Sequence, residues 1–437
     1  MKTSHEVRDA VHGFIRFNNV EKQVIDSAPF QRLRYIHQLA LTYQVYPGAT
    51  HRRFEHSLGV MEVASRIYDR LFNGRLSDDV NNAIADKIEG ETNKTYWRSV
   101  VRMAALLHDV GHLPFSHAAE AELLPQGWTH ERLTADIIRH SEISVVLYSA
   151  RPSIDHEDVI DVAYALQDRL KSDPDFVLSP WKTLLNEIIT GNTFGADRID
   201  YLLRDSHHAG VAYGRFDPDR LIDGLLVVVN DEANPAVALD VGAIHAAEAL
   251  LLARYFMYTQ VYFHDVRRAY DQHLLDYLSA WLPKGKFSTN WQDLILITDN
   301  DVLAALLQDS LRDGDKIKEL ADRVVSRQHF RTIYSLISSH KRMRPLIFDE
   351  LLGFATKQFG EERIRSSRYG PKSERNDFLV VNEDGTSNSS LESSGVISTI
   401  PDIEIGFIFA DQSISQFAKA TTDKELSRLL KEGKDGF

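Results

Sequence analysis

Cysteine is absent from all 437 residues, which excludes a disulfide framework and thiol catalysis. Positive charge is also scarce. Fifty Lys and Arg stand against 63 Asp and Glu, a net charge of −13, so the chain as a whole carries no basic footprint for nucleic acid. An anionic substrate must then be held by local arginines or by a metal. The opening Met1-Lys2-Thr3-Ser4-His5-Glu6-Val7 has no apolar signal region. The most apolar long window, residues 243–263, carries Glu248 and Arg254 and reads as a core helix rather than a membrane span. The expectation is a cytoplasmic protein that does not engage a membrane. No internal repeat is visible. With 43% hydrophobic residues, the length suits one large domain and a smaller one.

What the chain does have is concentrated in Leu106-Leu107-His108-Asp109-Val110-Gly111-His112-Leu113-Pro114-Phe115-Ser116-His117. A mostly apolar run over residues 100–107 ends in an adjacent His-Asp pair. Gly111 is expected to break the helix, and His112 and His117 follow. An imidazole beside a carboxylate suits a borderline divalent metal such as Fe, Mn, Zn, Co or Ni. The same dipeptide also occurs at ordinary helix ends closed by a glycine, so other segments must decide.

Several do. Residues 53–72 predict an amphipathic helix with the stripe Val60, Val63, Ala64, Ile67 and Leu71. Extended backwards, that stripe carries His56 and Arg53 inward, where an unpaired charge is expensive. Residues 96–109 predict the His108 helix. Ser116 suits the cap of the next one, which would place His117 and Glu120 one turn apart on one face. His130-Glu131 opens a further helical segment. Residues 197–208 predict a helix with the polar stripe Asp197, Asp200, Tyr201, Arg204, Asp205 and His208, backed by Ile199, Leu202 and Leu203. Residues 19–39 and 254–282 also read as helical, and 150–180 as short helices and loops. After Tyr369 the character changes. Phe378-Leu379-Val380-Val381 precedes the turn Asn382-Glu383-Asp384-Gly385-Thr386. A Ser/Asn-rich loop over 387–394, a strand at Ile405-Gly406-Phe407-Ile408-Phe409 and a polar helix over 422–432 follow. The expected fold is mainly α, with a helical domain over 1–345 and a small α+β lobe over 346–437.

Four candidate metal ligands thus stand on three helices: His56, His108 with Asp109, and Asp197. They leave positions of an octahedral metal open for water and a phosphate oxygen. The order His…His-Asp…Asp resembles the signature of the HD phosphohydrolase superfamily. Gln31-Arg32-Leu33-Arg34-Tyr35, Gln38-Leu39, Tyr46-Pro47-Gly48-Ala49, Arg53-Phe54-Glu55-His56-Ser57-Leu58-Gly59-Val60, Phe115-Ser116-His117, Asp197-Arg198-Ile199-Asp200-Tyr201 and Arg204-Asp205-Ser206-His207-His208 resemble one branch of it. That branch is the deoxynucleoside triphosphate (dNTP) triphosphohydrolases, of the dGTPase and SAM-and-HD-domain type. A SAM domain is not expected here, because too few residues precede His56. The match is close over residues 7–219 and loose beyond.

The resemblance implies an HD-domain helical core and a divalent transition metal on His56, His108, Asp109 and Asp197, with Mg²⁺ accompanying the substrate. It places His112 and His130 on the phosphates, His117 as acid–base catalyst with Glu120 orienting it, and Arg53 on a phosphate oxygen. Gln38 and Asp205 would contact the sugar 3′-hydroxyl, Leu39 and Tyr270 would crowd the 2′ position, and Tyr201 would line the sugar pocket. Asp26, Gln31 and Arg34 match a set that recognises an activating guanine nucleotide between subunits of a homo-oligomer, a dimer or tetramer. The implied reaction is hydrolysis of a dNTP to deoxynucleoside and inorganic triphosphate, with GTP or a dNTP as activator. The chain departs from the pattern in three places. Glu120 stands where many relatives have Asp, Arg8 where they have a small polar residue, and Gln260-Val261-Tyr262 offers no phosphate-binding arginine. Two other functions compete. One is a different HD phosphohydrolase: a nucleotide phosphodiesterase, a 5′-nucleotidase or a nuclease on single-stranded DNA. The other is a non-catalytic nucleotide sensor. The sugar-pocket residues favour the triphosphohydrolase, and retention of every metal and acid–base position argues against the sensor.

Overall fold

The computed structural model describes the chain outside residues 1–3, 75, 89, 117–119, 165–168, 171–172, 174, 315, 371–376 and 435–437, and the fold is mainly α. The first element is one that the sequence reading passed over. β1 (Ser4–Asp9) and β2 (Gly13–Asn18) form an antiparallel hairpin, paired from Ser4 with Asn18 to Asp9 with Gly13. Gly13 turns the hairpin at φ +75°, a conformation that L side chains resist. Asn18 and Glu21 then close a capping box at the start of α1 (Asn19–Ile25). The helix expected over 19–39 ends there. A continuous helix would need an N–H from residue 29, which is proline. The side chain of Gln31 supplies a donor instead, 2.7 Å from the Ile25 carbonyl. The chain goes on through the short helix Ala28–Gln31 and the 3₁₀ turn Arg32–Tyr35.

The middle of the domain is α2 (Arg53–Phe72) laid along α3 (Gly90–Leu107). Glu55 accepts from the Arg52 backbone N–H at 2.8 Å, and the stripe from Val60 to Leu71 is buried. α3 starts earlier than expected and stops at Leu107, so Gly111 is not its breaker. Residues 108–111 form a turn, and the glycine serves close approach. A Cβ at Gly111 would stand 2.4 Å from the His130 carbonyl oxygen and 2.3 Å from the Thr134 nitrogen, both on α4 (His130–His140). α5 (Ala196–Ala209) crosses α2 and ends at Gly210, whose φ of +72° closes it.

A second unforeseen hairpin, β3 (Leu225–Val229) with β4 (Pro235–Asp240), precedes α6 (Ile244–Met257). The single helix expected over 254–282 is interrupted. A π turn over Tyr258–Tyr262 follows α6, and α7 (Asp265–Trp281) starts afresh with His264 as its extended cap.

The C-terminal region holds a three-stranded sheet. β9 (Ile405–Ala410) lies between β5 (Arg331–Ser335) and β6 (Ile364–Tyr369), antiparallel to both. With α8 (Ile347–Phe359) and α9 (Ser415–Lys434) it encloses a second core around Ile347, Leu351 and Ile408. β5 lies upstream of residue 345, and β7 (Leu379–Val381) pairs in parallel with β4. Strand pairing therefore crosses the expected boundary twice. Residues 387–394, expected as a loop, form β8 (Ser387–Ser389) and a short helix, Ser390–Ser393. Among the described residues no helix is long and apolar enough to cross a membrane.

Candidate metal centre and its surroundings

His56 comes from α2, His108 and Asp109 from the turn after α3, and Asp197 from the first turn of α5. The structure brings all four together. Asp197 Oδ1 lies 3.1 Å from His56 Nε2 and 3.7 Å from His108 Nε2. The Asp109 carboxylate lies 3.6 Å from His56 Nε2 and 3.3 Å from His108 Nε2. Both Nε2 atoms are buried and neither is hydrogen-bonded, which is costly for a nitrogen out of water. Two such nitrogens aimed at two carboxylates form a donor set that fits a divalent metal.

The other ring nitrogens are tied down. His56 Nδ1 bonds Asp200 Oδ2 at 2.7 Å, and His108 Nδ1 donates to the Ala105 carbonyl at 2.8 Å. These bonds fix the tautomers whose Nε2 lone pairs face the carboxylates. Burial pushes the His56 imidazole down, but Asp197 and Asp200 outweigh it and raise it to about 10. A divalent cation would meet the same attraction for positive charge.

Behind His56 stands a buttress to which the sequence reading gave no role. Asp200 accepts from Arg204 at 2.8 and 2.9 Å and bonds His12 Nε2 at 2.7 Å, while Arg204 reaches Asp9 at 2.8 Å. Asp200 and Arg204 had been placed on a polar stripe, but both are fully buried. Asp9 and His12 belong to the unforeseen hairpin. Gly59 makes room for the cluster, since a Cβ there would stand 1.9 Å from Asp200 Oδ1.

A second group adjoins the first. His112 Nε2 lies 3.2 Å from Asp109 Oδ1, and the His112 and His130 rings stack with centroids 3.7 Å apart. Glu120 accepts from the His130 backbone N–H at 2.7 Å and bonds its Nδ1 at 2.8 Å. Burial, helped by Arg53 and His130, holds His112 well below its ordinary value. Burial also lowers His130, but Glu120 and Glu131 outweigh it and raise it to about 9. At neutral pH a cationic ring therefore faces a neutral one. Glu120 was expected to orient His117, which lies outside the described residues; the described partner of Glu120 is His130. Ser116 was expected to cap a helix, but its backbone sits at φ +56°. Its hydroxyl instead accepts from Arg53 Nε at 2.7 Å and donates to the His37 carbonyl at 3.3 Å. Arg53 also grips Asp109, which sets its guanidinium at the edge of the ligand cluster.

Asp205 is held on both oxygens, by His51 Nε2 and by the Tyr262 hydroxyl, each at 2.7 Å. Tyr262, which offers no guanidinium to a phosphate, positions Asp205 instead. Gln38 donates its backbone N–H to the His51 carbonyl at 3.0 Å, and its side-chain oxygen is buried without a partner. Leu39 is buried. Tyr270 is fully buried against His329, with its hydroxyl unpartnered. Tyr201 packs edge-on against Tyr262, with ring centroids 6.1 Å apart. Asp26, Gln31 and Arg34 lie on consecutive turns. Asp26 pairs with Lys22, Gln31 Oε1 accepts from Arg34 Nε at 2.8 Å, and the Arg34 guanidinium covers Phe54 at 3.5 Å.

Known proteins share this arrangement of sequence. Residues 53–205 match the family model of the HD domain, and residues 216–346 that of the HD associated region. An uncharacterised protein of Methanocaldococcus jannaschii is 36% identical over 265 residues, covering 61% of this chain and 47% of that protein. A deoxynucleoside triphosphate triphosphohydrolase of Homo sapiens is 27% identical over 391 residues, covering 84% of this chain and 58% of that one. The chain thus spans roughly half the length of the curated relatives it matches. The crystal structure of a hypothetical protein from Aquifex aeolicus superposes with a TM-score of 0.76 at 31% identity, covering 95% of this chain and 99% of that one.

Proposed function

The chain belongs to the HD-domain phosphohydrolase superfamily, and from that premise we propose that it hydrolyses dNTPs to deoxynucleoside and inorganic triphosphate. The observation that carries this reading is the pairing of two sites. The His56, His108, Asp109 and Asp197 cluster is joined through α5 to the anchored Asp205, which suits a substrate with phosphates at one end and a sugar at the other. The similarity to a deoxynucleoside triphosphate triphosphohydrolase over most of the chain supports it.

A divalent metal on the four ligands would neutralise phosphate charge and activate water. The chain's own residues do the rest. Arg53 and cationic His130 place positive charge beside the cluster. Asp205, fixed by His51 and Tyr262, orients the sugar, and Leu39 and Tyr270 close the 2′ side. The leaving 5′-oxygen takes a proton from an imidazole. His117 is the expected donor, and the Glu120–His130 pair competes for the role because a carboxylate already fixes its ring. Asp26, Gln31 and Arg34 would take a guanine nucleotide or a dNTP that drives assembly of a homo-oligomer.

The test is incubation with each dNTP, singly and mixed, with Mn²⁺ or Mg²⁺, resolving triphosphate from pyrophosphate and phosphate. Deoxynucleoside and triphosphate are expected. Release of pyrophosphate and a deoxynucleoside monophosphate would place the cleavage elsewhere, and turnover of single-stranded DNA alone would favour a nuclease.

A further inference from the structure

The HD associated region reaches into the HD domain through a buried carboxylate. Asp299 opens the helix Asp299–Ser310 and is fully buried. Its Oδ2 accepts from the His37 backbone N–H at 2.8 Å and bonds His37 Nδ1 at 2.6 Å. Its Oδ1 accepts from the Phe115 backbone N–H at 2.8 Å. One side chain thus ties together two segments that both run on into the candidate site. Gln38 and Leu39 follow His37, and Ser116, whose hydroxyl accepts from Arg53, follows Phe115. Arg32 binds the same pieces from another side. Its Nε donates to the Ile297 carbonyl at 3.0 Å, just ahead of the Asp299 helix, and its Nη1 to the His112 carbonyl at 2.8 Å.

A carboxylate out of water costs free energy unless its oxygens are hydrogen-bonded, and here three N–H groups meet them. The first turn of a helix favours the negative charge further. The segment that Asp299 holds would not hold itself. Phe115 and Ser116 stand at φ +58° and +56°. Two consecutive residues other than glycine in that conformation are strained, and they persist only where their surroundings fix them. Asp299 fixes the first through its N–H. Arg53 and the His37 carbonyl fix the second through its hydroxyl. Arg53 in turn grips Asp109, one of the four candidate metal ligands, so the strained turn and the ligand set share one network.

We propose that Asp299 is a positioning residue: it holds the Phe115–Ser116 turn in its strained shape and in register with His37, so that the HD associated region completes the active centre of the HD domain without touching substrate. The two oxygens divide the task. Oδ1 acts through Phe115, Ser116 and Arg53 on the phosphate end, and Oδ2 acts through His37 on the sugar end at Gln38 and Leu39. The effect on catalysis rests on the proposed dNTP hydrolysis; the clamp on the turn does not.

The experiment compares the native protein with Asp299→Asn, Asp299→Ala and Val302→Ala, the last a cavity control at a fully buried position of the same helix. Each is loaded with Mn²⁺ and checked for metal content and melting temperature. Kinetics give kcat and KM for a dNTP, and hydrogen exchange is followed in peptides containing Phe115. An amide at position 299 has one acceptor oxygen. The two His37 donors retain it, and the Phe115 N–H loses its partner. Asp299→Asn should therefore exchange faster at Phe115 and lose about tenfold to a hundredfold in kcat, with KM little changed and metal content native. Asp299→Ala releases both segments and should raise KM as well. Val302→Ala should melt lower yet keep kcat, KM and the slow exchange at Phe115. Native kcat in Asp299→Asn, or an equal loss of kcat in Val302→Ala, overturns the assignment. Should the Asp299 variants not fold, His37→Ala and His37→Asn decide, since both keep the Phe115 bond. Loss of the ring donor should raise KM, and the amide donor should recover part of it; a native KM in His37→Ala overturns the assignment. A native protein that cleaves no dNTP, yet exchanges faster at Phe115 as Asp299→Asn, would sink the proposed reaction and leave the clamp standing.

Discussion

Gly59→Ala is the sharpest test of how His56 is held. Glycine inside a long helix is unfavourable, and alanine in its place ordinarily gains about 1 kcal/mol. Here the methyl would stand 1.9 Å from Asp200 Oδ1 and 2.4 Å from Arg204 Nη2, distances that no real contact sustains. Those atoms are not loose ends. Asp200 is fixed by Arg204, His12 and His56, and Arg204 by Asp9. Prising apart a buried ion pair of this kind costs about 3–5 kcal/mol. The clash outweighs the propensity gain, and a net loss of about 2–4 kcal/mol is expected. His56 Nδ1 loses its anchor as well. Loss of such a support lowers metal affinity about 10–100-fold, or about 1.4–2.8 kcal/mol. Thermal unfolding of the metal-free protein reads the first quantity, and competition against a metal chelator of known affinity reads the second. A Gly59→Ala protein that melts higher than the native one and binds metal as tightly would refute the buttress.

Asp109→Ala and Asp197→Ala should each strip bound transition metal and abolish hydrolysis while the far-ultraviolet helical signal persists; full occupancy in both variants would defeat the ligand assignment. Burial raises Asp9, but Arg204 outweighs it and holds the carboxyl below its usual value. The stability Asp9 contributes is therefore complete above about pH 4 and lost as the pH falls through the lowered folded value. Asp9→Asn should accordingly be destabilised at pH 7 and approach the native protein once the pH has fallen through that lowered value, and a stability gap independent of pH would contradict this. Ribonucleotides should turn over far more slowly than dNTPs if the buried Leu39 and Tyr270 close the 2′ side as proposed; equal rates with GTP and dGTP would end that reading. Light scattering and activity against a pyrimidine dNTP, with and without GTP or dGTP, should show nucleotide-driven assembly that Asp26→Ala loses. Full activity of the native protein without added nucleotide would discard the switch.

The parts of the molecule that were legible in its sequence are those with a local signature. The stripe from Val60 to Leu71 gave α2 its limits, because apolar residues at helical spacing have one way to be buried. The polar stripe of α5 was legible as a stripe, but its direction was not: Asp200 and Arg204 look alike whether they face water or each other in a core. Gly59 on the facing helix carried the missing information, since only a close neighbour explains a glycine there. The hairpin was illegible for a different reason. β1 and β2 are half exposed, and nothing near His12 in sequence announces a partner on α5. The break between α6 and α7 was missed because aromatic content continues unchanged through Phe263. In the C-terminal region the turn at Gly385 was visible, whereas the pairing of β7 with β4 joins segments that local pattern cannot connect.

The contact between His12 and Asp200 spans 188 positions, and it orders events during synthesis. A ribosome adding about 5–20 residues per second exposes His12 roughly 10–40 seconds before Asp200 follows. Over roughly the second half of that interval His56 and His108 are already made, yet Asp197 is missing and nothing holds His56 Nδ1. A chain that lacks α5 lacks one of the four candidate ligands and the support of another, so a metal held by this set would be captured only once α5 has docked. Metal content then serves as a certificate of completion: nascent chains stalled short of residue 197 should carry none, and those released past α5 should load in a single step.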